Sequence, residues 1–225
     1  MHPYVFINLA MSADGKLSTH ERRQVRISGE RDFFRVDEIK AGSDAIMVGI
    51  GTILADDPSL TVKSADRKDA RRKEGREENP VRIVVDSSGR TPVDAEILHK
   101  GPGKRIIAVS RKADPTRIHE LQNFAEIVEC GEEKVHLTKL MDILWEMGIR
   151  RLMVEGGGTL IWGLFEEGLV DELITCIGNV IIGGADAPTP VDGHGFLHES
   201  EFPQLELIES VLMDDGVVLR WRVKK

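Results

Sequence analysis

The sequence predicts an α/β fold: a mostly parallel central sheet flanked by helices, with antiparallel strands at its C-terminal end. Three observations predict it. Short continuous apolar runs such as Ala45 to Val48 read as strands buried on both faces. These runs alternate with stretches of helical period. After Gly168 the segments lengthen and alternate, and Met213-Asp214-Asp215-Gly216 carries an Asp-Gly hairpin signal between the last two.

The elements follow in order. Tyr4 to Leu9 is a strand, and the residues around Arg31 to Ala41 form a helix with Phe34, Ile39 and Ala41 turned partly inward and Ser28 available as its cap. Ala45 to Val48 is the next strand. Ser64 to Asn79 is almost wholly charged, polar or small, so it reads as a solvated loop inserted before the strand at Val81 to Asp86. Further strands are expected at Arg105 to Val109, Glu126 to Cys130 and Arg151 to Glu155. Leu137, Leu140, Met141, Leu144 and Met147 keep the spacing of a buried helical stripe, and Gly148 sits where a C-terminal cap belongs. Glu172 to Ile177, Leu205 to Leu212 and Val217 to Val223 supply the later, alternating strands.

Bulk properties narrow the function. A chain of 225 residues buries a substantial core, as one domain or two closely packed lobes. A net charge of -8 argues against broad binding to nucleic acid or anionic membrane. Cys130 and Cys176 lack C-x-x-C spacing, and His194 and His198 lack an H-E-x-x-H pattern, so no metal site is expected. No apolar run approaches membrane-spanning length, and the N-terminus has no basic-then-apolar leader. The expectation is a soluble, reduced, cytoplasmic protein.

Two junctions carry the chemistry. Gly49-Ile50-Gly51-Thr52-Ile53-Leu54-Ala55-Asp56-Asp57-Pro58 and Glu155-Gly156-Gly157-Gly158-Thr159 each follow an apolar strand, placing backbone N-H groups where a phosphate or cofactor can meet them. Three glycines at a helix start weaken it by roughly 1 kcal/mol each relative to alanine, a cost that close ligand approach would explain. Ile161 stands where a Rossmann fingerprint needs its last glycine, and no G-x-x-x-x-G-K-[ST] occurs. The loop Asn8 to Lys16 adds amide, hydroxyl, carboxylate and ammonium groups suited to a polyhydroxylated or heterocyclic ligand.

At this point the residues resemble a known family. N-x-A-x-S-x-D-G-K at Asn8 to Lys16, M-V-G-I-G-T-I-L-A-D-D-P-S-L-T-V at Met47 to Val62, V-R-I-V-V-D-S at Val81 to Ser87 and V-E-G-G-G-T-L at Val154 to Leu160 occur in the order found in the riboflavin-biosynthesis reductases of the stand-alone archaeal and fungal type. The Phe165 to Glu172 run and the Ile182-Gly183-Gly184 loop fit the same pattern, so the resemblance covers essentially the whole chain. It implies a single dihydrofolate-reductase-like domain over residues 1–225, a homodimer, and reduction of the ribosyl group of 2,5-diamino-6-ribosylamino-4(3H)-pyrimidinone 5′-phosphate to the ribitylamino product. NADPH is the implied cofactor, with NADH possible. The zinc deaminase domain of bifunctional bacterial relatives is not expected, since neither H-x-E nor P-C-x-x-C occurs.

The resemblance also implies residue roles. Thr52 and Asp56 would lie against the nicotinamide and its ribose, and Gly157, Gly158, Thr159 and Leu160 would wrap the pyrophosphate. Gly89, Arg90, Thr91 and Pro92 would meet the adenosine end, with Arg90 as the candidate for the 2′-phosphate and Val135 bordering the adenine. On the substrate side stand Asn8, Asp14 and Lys16; Arg26, Ser28 and Lys40; and Leu60, Lys63 and Glu155. Lys63, Arg26 and Lys40 compete for the 5′-phosphate, and Asp56 and Glu155 for the proton-handling catalytic role. Other readings are a reductase of the same fold acting on another pterin or pyrimidine, and a non-catalytic nucleotide-binding regulatory module.

Overall fold

The structure, a computed structural model, describes residues 1–23 and 25–225. Among them the strands are β1 (Tyr4–Met11), β2 (Ala45–Gly49), β3 (Val81–Val85), β4 (Arg105–Val109), β5 (Glu126–Glu129), β6 (Arg151–Gly156), β7 (Glu172–Ile177), β8 (Leu205–Met213) and β9 (Gly216–Val223). The helices are α1 (Glu30–Gly42), α2 (Ile50–Asp56), α3 (Ala65–Lys73), α4 (Glu96–His99), α5 (Pro115–Leu121), α6 (Leu137–Glu146) and α7 (Gly158–Glu166). The sheet is nine-stranded and mostly parallel, with antiparallel strands at the C-terminal end, as the sequence predicts.

The chain divides into two compact units. The first comprises Met1–Pro3 and Val36–Met153. Within it β2 pairs in parallel with β3, β3 with β4 and β4 with β5. Ala45, Ile46, Met47 and Val48 are fully buried, which is what an uninterrupted apolar run in a doubly covered strand requires. The predicted stripe holds along α6, where Leu137, Leu140, Met141 and Leu144 are buried. Gly148 ends that helix at a φ of 88°, and the N-H of Ile149 returns to the Leu144 carbonyl at 3.0 Å. Met147, at the cap, faces partly outward.

The second unit comprises Tyr4–Arg35 and Val154–Lys225. Here β1 pairs in parallel with β7, and β7 and β8 each pair antiparallel with β9. The two-residue hairpin turn is Asp214-Asp215, one position earlier than the Asp-Gly pair suggested, and Gly216 already belongs to β9. That glycine answers to packing: a Cβ there would meet the Ile177 carbonyl oxygen at 2.2 Å.

Three expectations are corrected. On α1 Ile39 and Ala41 are half-buried, as expected, but Phe34 is 65 % exposed, and Asp32 and Asp37 are the buried side chains. Hydrogen bonding drives this inversion: Asp32 accepts from the Arg35 guanidinium, and Asp37 from Arg67 and the N-H groups of Lys63 and Ser64. Nor does Ser28 cap the helix. The Asp214 carboxylate accepts from the N-H groups of Arg31 and Asp32 at 3.4 and 3.2 Å, setting a negative charge at the helix N-terminus.

The third correction concerns the charged segment read as a solvated loop, Ser64 to Asn79. Ala65–Lys73 is a helix, capped by Ser64 Oγ, which accepts from the N-H of Arg67. Composition misled because arginine stems bury well when their donors are satisfied. Arg71 is 4 % exposed and donates to the carbonyls of Ala41, Ser43 and Glu77 at 2.7 to 2.9 Å. Asn79, at the end of the segment, is 1 % exposed.

Candidate active site

In the first unit, Thr52 and Asp56 stand one turn apart on α2, so their side chains share a face. Asp56 is an exposed residue whose carboxyl is pushed above the usual carboxylate range by desolvation alone. Its neighbour Asp57 has another task. It ends the helix in a left-handed conformation at a φ of 41°, and its carboxylate accepts from the N-H of Glu96 at 2.8 Å. Only one of the acidic pair is therefore available for chemistry.

The chain beyond it forms a compact cationic face. Leu60 is 3 % exposed and holds a φ of 51°, an unusual conformation for a leucine. This kink brings the Ser59 and Thr61 hydroxyls within 3.1 Å of each other. Lys63 Nζ donates to both, at 3.0 and 3.1 Å. Desolvation, then the nearby Lys40 and Lys100 ammonium groups, hold Lys63 below the usual lysine pKa. A lysine whose charge is destabilised by like charges is the setting in which an anion binds favourably. Lys63 thus meets two hydroxyls on either side of Leu60 that carried no signal of their own, within the electrostatic reach of Lys40. Their signal lay in the motif, flanking Leu60.

The loop after β3 is stiffened from within. Asp86 is fully buried, and one of its oxygens accepts from both the N-H and the hydroxyl of Thr91, at 2.7 and 2.8 Å. Arg117 donates to the carbonyls of Gly89 and Thr91. Arg90 stays exposed between them, and Pro92 is half-buried. Val135 is 5 % exposed, its N-H donating to Ser87 Oγ at 3.0 Å.

In the second unit, Asn8 near the end of β1 is 5 % exposed, and its carbonyl oxygen accepts from Arg35 at 2.9 Å. The same guanidinium pairs with Asp32 at 2.6 Å, which fixes the carboxamide's orientation. Asp14 accepts from the Ser12 hydroxyl and from the N-H groups of Ile182 and Gly183, at 2.6, 3.0 and 2.7 Å. These bonds, the serine's first, hold its pKa down to about 2. Asp14 therefore staples one loop to another as well as presenting a charge. Its depressed pKa means the staple is complete above the ordinary aspartate pKa and is lost as pH falls toward 2. Protection of the Ile182 and Gly183 amides, taken relative to the unstructured-chain exchange rate at each pH, should fall over that window and stay level between pH 5 and 8.

Lys16 reaches the Ala187 carbonyl at 3.3 Å. Arg26 is exposed, its guanidinium 5.6 Å from the centre of the Phe33 ring. Arg26 and Ser28 both line a cavity of about 220 Å³ with Asn179 and Asp214. The three candidate phosphate cations therefore divide: Arg26 belongs to the second unit, Lys40 and Lys63 to the first.

Glu155 is half-buried near the end of β6, and the glycines that follow it play different parts. Gly156 ends the strand, Gly157 is the N-cap of α7 at a φ of 90°, and only Gly158 lies in the helix. The helix cost estimated for three glycines thus applies to one. A Cβ on Gly158 would meet the Thr189 carbonyl oxygen at 2.7 Å, so packing alone already demands glycine there. Gly157 offers no side-chain cap, and the N-H groups of Gly158, Thr159 and Leu160 have no acceptor within the helix. Among the described residues no cluster of His, Cys, Asp or Glu could hold a metal ion, and no helix is long and apolar enough to cross a membrane.

Comparison with known proteins gives these two sets of residues a common context. Residues 3–219 match the family described as the RibD C-terminal domain. The chain is 50 % identical over 208 residues to the 2,5-diamino-6-ribosylamino-4(3H)-pyrimidinone 5′-phosphate reductase of Archaeoglobus fulgidus, covering 92 % of this chain and 94 % of that one. It is 44 % identical over 224 residues to the protein of the same name from Methanothermobacter thermautotrophicus, covering 100 % of both. Among solved structures, form 2 of Acinetobacter baumannii RibD superposes with a TM-score of 0.81 at 26 % identity, covering 99 % of this chain and 58 % of that one. A family match over nearly every residue, joined to two such relatives, leaves one conclusion: the chain belongs to the RibD C-terminal domain family.

Proposed function

We propose that this chain reduces the ribosylamino group of 2,5-diamino-6-ribosylamino-4(3H)-pyrimidinone 5′-phosphate to the ribitylamino product with NADPH, as a single reductase domain in a cytoplasmic homodimer. The observation that carries the reading is 50 % identity over 94 % of an archaeal relative bearing that reductase's name. Mixing protein, substrate and NADPH and following nicotinamide absorbance tests it directly. Absence of turnover, beside an active comparison enzyme, would overturn it.

The residues fit a nicotinamide dinucleotide. Three N-H groups without helical acceptors at the start of α7, with no side chain capping them, suit a pyrophosphate, and Gly157 to Leu160 would hold it. Exposed Arg90, on a loop braced by Asp86 and Arg117, suits a 2′-phosphate and is the ground for NADPH over NADH. Gly89, Thr91, Pro92 and Val135 would shape the adenosine end, and Thr52 the nicotinamide side. When bound, the cofactor supplies the hydride that reduces C1′ of the sugar.

For the substrate, Lys63 and Lys40 with the Ser59 and Thr61 hydroxyls are the better phosphate site. The mutual repulsion of their ammonium groups would be relieved by a dianion. Arg26, over Phe33, and Ser28 would instead border the base or sugar with Asn8, Asp14 and Lys16. Lys63→Ala should raise KM for the substrate roughly tenfold to a hundredfold, the worth of one charge-assisted hydrogen bond to phosphate. Because the lysine pKa is lowered, KM should also climb as pH rises toward, but still below, the usual lysine value.

Chemically, the ribosylamine ring opens to an imine between C1′ and the exocyclic nitrogen. Hydride adds to C1′, the nitrogen keeps its bond and gains a proton, and the freed ring oxygen becomes a hydroxyl. The protein's share is orientation and proton management. Asp56, its carboxyl already biased toward the protonated form, is the better proton donor of the two acidic candidates. Glu155, half-buried at the end of β6, would orient the sugar or base through hydrogen bonds.

The homodimer has physical support in β8. Leu205, Leu207, Ile208, Val211 and Leu212 are all exposed on this strand, Leu212 by 81 %. β8 pairs with β9 on one side only, and a long apolar edge is an aggregation hazard unless another chain covers it. Light scattering should give twice the 25.0 kDa chain mass, and Leu207→Asp with Leu212→Asp should give the monomer. A monomeric parent protein would refute this.

A further inference from the structure

The segment that composition assigned to a solvated loop bears directly on the cationic face of Lys63. Several of its inward contacts are directed at the chain on either side of that lysine and at the end of α1 that carries Lys40. Asp37 of α1 stands at the junction. It is 7 % exposed, and its carboxylate takes the N-H of Lys63 at 2.6 Å, the N-H of Ser64 at 3.1 Å and Arg67 of α3 at 2.8 Å. Arg67 is itself only 16 % exposed. One residue earlier, the N-H of Val62 donates to Asn79 at 2.9 Å, and Asn79 in turn donates to the Pro102 carbonyl at 2.9 Å.

Three consecutive backbone amides, at Val62, Lys63 and Ser64, are therefore held by side chains. Arg71 of α3 also closes the open carbonyls of Ala41 and Ser43, immediately after Lys40. Burial alone would raise the Asp37 carboxyl, yet the Lys63 N-H, Arg67 and the Ser64 N-H leave it below the usual range, so the junction stays charged at neutral pH.

We propose that α3 and Asn79 form a buttress for the phosphate-binding face, with Asp37, Arg67 and Asn79 as positioning residues that fix Lys63 and thereby select a phosphate ester over its unphosphorylated counterpart. This rests on the reading of Lys63 and Lys40 as the phosphate site. The physical argument concerns entropy and reach. An ammonium on a four-carbon stem loses rotamer freedom when it engages an anion, and a backbone already fixed at three successive amides confines the further loss to the side chain. A charged segment of otherwise solvated composition acquires a task on this view: its guanidinium groups hold other residues in place, and none is needed at the ligand.

The test compares Asp37→Asn, Arg67→Ala and Arg67→Lys with Lys63→Ala. Asparagine at 37 keeps the shape and one acceptor, but its NH2 cannot accept from Ser64 and opposes Arg67. Steady-state kinetics would use the phosphorylated substrate and its dephosphorylated form, and calorimetry would titrate ribose 5-phosphate and ribose into each protein. Asp37→Asn and Arg67→Ala should raise KM for the phosphorylated substrate about tenfold and weaken ribose 5-phosphate binding to match. The dephosphorylated substrate, kcat and KM for NADPH should change less than about twofold, and Arg67→Lys should restore most of the loss.

Folded Asp37→Asn or Arg67→Ala protein with unaltered discrimination would overturn the buttress, as would equal losses toward NADPH and both substrates. The underlying phosphate reading fails separately, if Lys63→Ala leaves the preference for ribose 5-phosphate over ribose intact. Should Arg67→Ala not fold, the near-isosteric Asp37→Asn decides the matter.

Discussion

Replacing Arg82 by alanine is expected to lower the unfolding free energy by about 3–5 kcal/mol, the cost of emptying a large buried side-chain volume and unpairing an acceptor it held. Arg82 is completely buried in β3, with no carboxylate partner among the described residues. Its guanidinium donates instead to carbonyl oxygens of Ile97, Lys100, Gly101, Pro102 and Gly103, the shortest at 2.5 Å to Lys100. Alanine would open a cavity and take from the Lys100 carbonyl its donor, while Arg105 still donates to the carbonyls of Ile97, Gly101 and Gly103 and Asn79 to that of Pro102. For a chain of this size the loss corresponds to a fall in melting temperature of roughly 6–20 °C, readable by calorimetry. Arg82→Lys should recover only part, since three donors on one nitrogen cannot follow a planar fork across five acceptors. A melting temperature within 2 °C of the parent would show that water satisfies the carbonyls as well as the side chain does.

Asp56→Asn is expected to reduce kcat by about 10²–10⁴, the usual contribution of a positioned general acid. The substitution keeps the shape of an exposed side chain at the end of α2, so melting should move little. The sign of the pH effect follows from the raised pKa. The protonated, donating form persists to higher pH than an ordinary aspartate allows, so kcat should decline as pH rises through that value. Because the folded state binds this proton more tightly than the unfolded chain, the same rise in pH slightly disfavours folding. Asp56→Asn should remove the alkaline limb of the profile. An unchanged kcat and profile would leave Glu155 as the proton-handling candidate.

Strand positions were legible because apolar runs bounded by polar turns admit few alternatives, as Ala45 to Val48 and the α6 stripe illustrate. Residues whose environment is made by distant chain were not. Phe34 read as partly inward and is exposed, while Asp37, two turns along α1 from the helix start, is buried by partners 26 to 30 residues distant. Ser59 and Thr61 carry no periodic signal, and only the left-handed Leu60 between them makes one pair of their hydroxyls.

Local chemistry in the sequence determined the α/β class, the two glycine junctions and the motif order that matches the family, because strand pattern and turn chemistry are written within a few residues of themselves. Tertiary structure alone decided which charges are structural. Asp57, Asp37, Arg71 and Arg82 are as polar in the sequence as Asp56, Lys63 and Arg90, yet the first four are engaged by chain far from them. A charged group's role depends on where its counter-charges, donors and acceptors lie in space, and that distance is not encoded by neighbours along the chain.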